Sequence, residues 1–452
     1  MNSINKKLIA LSFAAVSLMS VSAQESSTGY FMENYNMKWQ LNPALSNRHG
    51  YVGFPALGNL NVSVNGNLNV TDIVYPLSNG RTGLFTNPEI DANKALSKFS
   101  NVNRLSQSLG LNVIQVGFKA FGGYNNIAIN VKENLSMDLP KDMFALMKNG
   151  LTNQTYDITN IRAKAAAYAE IALNHSREIK QVPGLRAGIS LKFLLPAGFA
   201  QADFNELKLD LGEDSWRVIS DARMRIGLDG VRYDMDTNDN GKPYVSGVNT
   251  DDMKFGINGF GFGLDFGATY EWKDFTFSLA FTDLGTMSFD KVQEASTNGT
   301  KTFETSAYKI GFGDDNGWDD MKDGLSKLYE LEDNGTVKSS MPLQGKMRIG
   351  VDYQFPFYKK LHFGLLNTTD MSKIFPYTEF RVSANVEPVR GIAASVSAAA
   401  GTYGVNYGFL LSLGNKGFNF MIGMDYANIK FSKDMIPLRS NADVHVGINF
   451  PF

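Results

Sequence analysis

The chain has no cysteine among its 452 residues. That excludes disulfide staples, thiolate metal sites, cysteine nucleophiles and a lipid anchor on cysteine. Charge of one sign is missing too: 43 Lys and Arg stand against 45 Asp and Glu, a net of −2 that offers nucleic acid nothing to hold. Histidine is scarce. His49, His175, His362 and His445 are the four, none has a recognisable nucleophile motif beside it, and we expect no enzyme, no metal and no cofactor. A hydrophobic run fit for a membrane helix is also lacking. The uncharged stretch between Arg390 and Lys416 is long enough, but Gly391, Gly401, Gly404 and Gly408 interrupt it and "YGVNYGFLLSLG" alternates with period two. It reads as two strands.

What the chain does have begins with a leader. "MNSINKKLIALSFAAVSLMSVSAQ" sets Lys6 and Lys7 before an apolar run and ends on Ser22 and Ala23, the three parts of a secretory signal peptide over residues 1–23. Export without disulfides suits a bacterial cell envelope.

Period-two segments recur after it. "IRAKAAAYAEIAL" places Ile161, Ala163 and Ile171 on one face and Arg162, Lys164 and Glu170 on the other. "LRAGISLKFLL" sets Leu185, Ile189 and Phe193 against Arg186 and Lys192. "RIGVDYQF" and "TEFRVSANVE" repeat the pattern, with Arg348, Asp352, Glu379 and Arg381 on the polar side. Successive strand side chains point to opposite faces, so each strand is apolar outside and polar within. The nine charged residues are expected to face a lumen.

The connections sharpen this. Short turns at 121–124, 175–184, 272–274, 357–360, 387–390 and 414–416 alternate with long connections at 71–107, 138–160, 196–254, 285–345, 367–376 and 428–440. Short turns on one side and long loops on the other characterise outer-membrane barrels. Six turns join twelve strands, and one strand near 59–70 plus the last, 441–452, make about fourteen. The expected fold is therefore all-β: a transmembrane antiparallel barrel over 59–452, with short helices in the extracellular loops at "LPKDMFALMKNG" and "GWDDMKDGLSKLYEL". The final "VHVGINFPF" closes the barrel so that no edge is left unpaired in the bilayer of the outer membrane. Its alternating apolar residues, ending on Phe450 and Phe452, resemble the signal read by the barrel assembly machinery.

Residues 24–58 are too irregular for a strand and long enough to enter the lumen as an N-terminal plug. Within them Asn42-Pro43-Ala44 resembles the Asn-Pro-Ala motif in the plug of the fatty-acid transporter-like (FadL-type) barrels, and the context "NPALSNRHGYVGFPALGNLNVSV" looks like an uncharacterised Bacteroidetes outer-membrane family related to them. The resemblance implies fourteen strands, a plug and passage of small hydrophobic compounds through an opening in the wall. The alternative is a non-transporting barrel that partners an envelope protein in secretion or surface assembly. Two further motifs weigh little. "GFGFGLDFG" reads as a strand whose glycines leave room for a plug backbone. "DTNDNG", Asp236 to Gly241, opens like a calcium loop but has Gly247 where the twelfth-position acid belongs.

Overall fold

The computed structural model describes residues 26–53, 59–213, 215–238, 241–254, 256–305, 330–415, 417–427 and 441–452. The leader and the helix expected around Trp318–Tyr329 lie outside the described residues. Fourteen antiparallel strands close into one barrel. They are β1 (Asn59–Gly66), β2 (Val102–Ala120), β3 (Gly123–Pro140), β4 (Ile161–Glu178), β5 (Leu185–Leu211), β6 (Gly259–Trp272) and β7 (Phe275–Ser296). The circuit continues with β8 (Lys346–Gln354), β9 (Leu361–Asp370), β10 (Tyr377–Val389), β11 (Ile392–Gly401), β12 (Gly404–Gly414), β13 (Asn419–Met424) and β14 (Ala442–Pro451). Each pairs with its successor, and β14 returns to β1 from Leu60 opposite Val446 to Val64 opposite Ala442.

The alternation carries through to burial. Glu170, Lys192, Arg348, Glu379 and Arg381 point inward and are buried, while Phe380 and Val396 on the outer face are 58% and 59% exposed. A band of outward Phe, Leu, Val and Tyr around a closed sheet is a surface for lipid, not water. Among the described residues no helix is long and apolar enough to cross a membrane. Tight turns fix the register at one end. Phe121 and Gly122, both at positive φ (56° and 71°), form the two-residue turn between β2 and β3, the geometry that matches strand twist.

Two boundaries differ from the sequence reading. The wall starts before residue 59: Tyr51–Gly53 pairs with Phe450 and Pro451 on one side and with Gln115 to Gly117 on the other. The long connections are also largely strand. β5 runs 27 residues, changing partner near Pro196 from β6 to an inserted strand, Trp216–Ile226. Glu332–Pro342 pairs with the outer half of β7, and β8 with its inner half. Alternation fades there because neither face of the sheet meets lipid. The helix Lys141–Asn149 does follow Pro140. It packs Phe144 against Phe85 and Phe99 in a small apolar cluster on the long-loop end.

Candidate functional site

Residues 26–50 run inside the barrel and touch inward side chains around its circumference. Two of their attachments to the wall concentrate several bonds each. At the first, Asn42, Pro43 and Ala44 make an elbow after the short helix Lys38–Leu41. The Asn42 Oδ1 accepts the Ala44 N–H at 3.0 Å, an Asx turn, and its Nδ2 donates to the Tyr30 hydroxyl at 2.9 Å. Asn174 Nδ2 donates to the Pro43 carbonyl (3.1 Å) and Arg348 Nη1 to that of Leu41 (3.3 Å). The wall must come very close for this. A Cβ on Gly188 would lie 2.2 Å from the Pro43 oxygen, and one on Gly267 would lie 2.0 Å from Asn42 Oδ1. Glycine is required there by space.

The second attachment is a dock for the start of the segment. The Asp425 carboxylate, at the end of β13, accepts the Ser26 hydroxyl (2.9 Å) and the N–H groups of Ser27 (2.6 Å) and Thr28 (2.8 Å). Ser395 donates to the Thr28 carbonyl at 2.9 Å, and Arg381 Nη1 to the Thr28 hydroxyl at 3.1 Å. Asp443 orients the dock by accepting the N–H groups of Asp425 (2.9 Å) and Tyr426 (2.7 Å). Asp425, Asp443 and His445 carry metal-ligand atoms within 4.8 Å of one another. Their carboxylates are committed to those donors, and Arg381 stands 3.8 Å from Asp425. The two carboxylates anchor backbone N–H groups, and His445 bonds to Asp443.

The nine charged residues singled out by alternation are not gathered at one place. Lys192 lies between Asp265 (2.8 Å) and Asp283 (2.7 Å), at a bulge where the β6–β7 register shifts. Glu170 takes Lys132 at 2.9 Å, Glu379 takes Arg381 at 2.8 Å, and Asp352 takes His362 at 2.9 Å. Arg186 meets Glu178 at the short-turn rim, Arg162 touches Asn160, and Lys164 lines a cavity. Of the nine, Arg348 and Arg381 bond to the interior segment. Asp425 and Asp443, the centre of the dock, were missed. Their signal was faint: Asp425 continues the inward parity of Met421 and Gly423 beyond the strand's end. Phe450 faces outward, whereas the Phe452 ring abuts Gly50 and its N–H donates to the Gly50 carbonyl (2.8 Å).

The segment divides the interior. Toward the long loops lies a cavity of about 340 Å³, with Met37, Met287, Met341, Met421, Leu343 and Leu410 on its walls and Lys132, Lys164, Lys346 and Lys373 among them. Toward the short turns opens a vestibule of about 930 Å³, lined largely by polar side chains.

A family model matches residues 43–425, from the Pro43 of the elbow to the Asp425 of the dock. The chain belongs to a family of unknown function (DUF5723). No curated protein matches this DUF5723 chain. Among solved structures it is similar to the Pseudomonas putida toluene transporter TodX, at 8% identity over 96% of both chains with a TM-score of 0.41. It is also similar to the monoaromatic hydrocarbon channel CymD, at 9% identity over 96% of this chain and 98% of that one, with a TM-score of 0.42. A Rhodopseudomonas blastica porin mutant aligns at 10% identity over 64% of this chain and 92% of the porin, with a TM-score of 0.21. The barrel stands on its own strand pairing, whatever these likenesses add.

Proposed function

We propose that this barrel sits in an outer membrane, entered through a cleaved leader and the barrel assembly machinery, and passes or binds small hydrophobic compounds that carry one acidic end. Residues 26–50 act as its plug. The observation that carries this reading is the cavity above the plug. Its methionine and leucine walls suit an apolar body, since flexible thioethers adapt to varied shapes. Lys164 and Lys373 on the same cavity form no ion pair within 4 Å among the described residues, which leaves two ammonium groups for an anion. The toluene transporter and the hydrocarbon channel handle compounds of the apolar kind.

The test is binding of octanoate, octanol and octane to purified, folded protein. Octanoate is expected to bind tightest, and Lys164→Gln with Lys373→Gln to bring it down to octanol. Met287→Asp is expected to weaken all three. If none binds, and the protein leaves native membranes with a stoichiometric protein partner, the alternative role in secretion or surface assembly takes its place.

A further inference from the structure

The vestibule on the other side of the plug has a different chemistry. Asn385 and Asn449 line it from two strands of the wall, β10 and β14, and are 3% and 2% exposed. Among the described residues, the Oδ1 of Asn385 and both polar atoms of the Asn449 amide are buried without a hydrogen-bond partner. Leaving such groups unpaired costs about 1–3 kcal/mol each, so they mark a surface built to be satisfied by something else. At the rim, Arg48 already serves Glu33 and, at 3.6 Å, Glu387. Lys359, Lys360 and Arg390 have no carboxylate within 4 Å among the described residues, and Lys360 donates only to the Pro388 carbonyl (2.8 Å). Among the described residues that line the vestibule, Glu33 and Glu387 are the acidic side chains, against Arg48, Lys359, Lys360 and Arg390. Positive charge is therefore in excess.

We propose that the vestibule is a binding site for an acidic peptide in extended form. An amide with a free donor and a free acceptor matches a peptide group, as Asn449 requires. Asn385 needs a donor, which a simple anion lacks and a backbone N–H provides. The unpaired cations of Lys359 and Arg390 then select glutamate or aspartate side chains, with Arg390 able to grip a carboxylate at two points. A purely apolar cargo gains nothing from these groups, so the site is separate from the cavity above the plug. With the short turns on the periplasmic side, as in outer-membrane barrels, it faces the periplasm, where peptides and protein tails can reach it.

The experiment uses the full-length folded protein and three fluorescent hexapeptides of the form acetyl-Ala-X-Ala-X-Ala-Ala-amide, with X as Glu, Gln or Lys. The Glu peptide is expected to bind about tenfold tighter than the Gln peptide, as one or two charged hydrogen bonds would give. Lys359→Glu with Arg390→Glu reverses the order, so that the Lys peptide binds best. Asn385→Leu weakens the Glu peptide, and Asn385→Ala does the same should the leucine variant misfold. Equal binding of the Glu and Gln peptides overturns the proposal. So does complete competition by inorganic phosphate at matched charge, which would make this an anion site only. Failure of every peptide to bind, while a cysteine at position 34 of Asn34→Cys reacts freely with a thiol reagent, overturns it as well. None of these outcomes depends on what the cavity above the plug takes.

Discussion

The elbow and the dock hold the same segment by opposite means. The elbow is steric: carbonyls and an amide pressed onto glycine backbone, where fit matters to a fraction of an ångström. The dock is electrostatic: one carboxylate collecting two N–H groups and a hydroxyl beside an arginine. A packed contact is close to all-or-none, because interiors do not deform continuously. A set of charge-assisted bonds can be weakened one at a time and exchanged for water. The pair therefore reads as a fixed pivot at 42–44 and a releasable end at 26–28, and a plug that opens is expected to open from its N-terminal end.

The elbow offers the sharpest way to break this comparison. Gly267→Val puts side-chain atoms where Asn42 Oδ1 already sits, and Gly188→Ala meets the Pro43 carbonyl. Overpacking of this kind costs about 3 kcal/mol, which shifts a seated-to-unseated ratio by about two orders of magnitude. Single-channel conductance in planar bilayers is expected to rise to that of a variant lacking 26–46, with insertion unchanged. Conductance equal to the intact protein's would mean that the elbow is not the pivot. Asp425→Asn is the milder change. It keeps the shape and removes the charge, at about 1.5–3 kcal/mol for bonds to an ionised group. Hydrogen exchange or a spin label at Ser27 is expected to report faster motion over 26–32 while Asn42 stays protected. Equal loosening at both ends would erase the distinction.

How much of this was legible depends on range. The wall was readable because each strand meets lipid on one face and a polar interior on the other, so the period of two survives for ten residues or more, as in β4 and β14. Where β5 and β7 rise beyond the lipid that contrast disappears, and the outer sheet passed for loops. Asn42, Pro43 and Ala44 drew notice by their resemblance to the motif of the FadL-type barrels, and three adjacent residues are a local signal that a sequence can carry. Gly188 and Gly267 give no such local cue, though a glycine row facing the lumen pointed to a close backbone. The dock was out of reach, since Ser26 and Asp425 are 399 positions apart and nothing in either neighbourhood names the other.

Between the two attachments lies the smallest effect, and it carries a pH signature. Lys38, in the helix before the elbow, is 8% exposed and its ammonium donates to the Glu33 carbonyl at 3.1 Å. Burial pulls its pKa down to about 8, against partial support from the Glu33 charge. An unseated segment would return Lys38 to water and to the ordinary lysine value near 10.5. Between pH 8 and 10.5 the unseated form holds the proton that the seated form has released, so seating strengthens as pH rises through that window. Below pH 8 both forms are protonated and the full cost of burying the charge remains, about 3 kcal/mol at most. Labelling of a cysteine at position 27 of Ser27→Cys is therefore expected to slow as pH is raised from 8 to 10.5, once corrected for the reagent's own pH dependence. Lys38→Met is expected to slow it at pH 7 and to flatten the profile, because methionine fills the same space without a charge to desolvate. A flat profile in the parent protein would mean that Lys38 stays wet, and that its charge has no part in seating the segment.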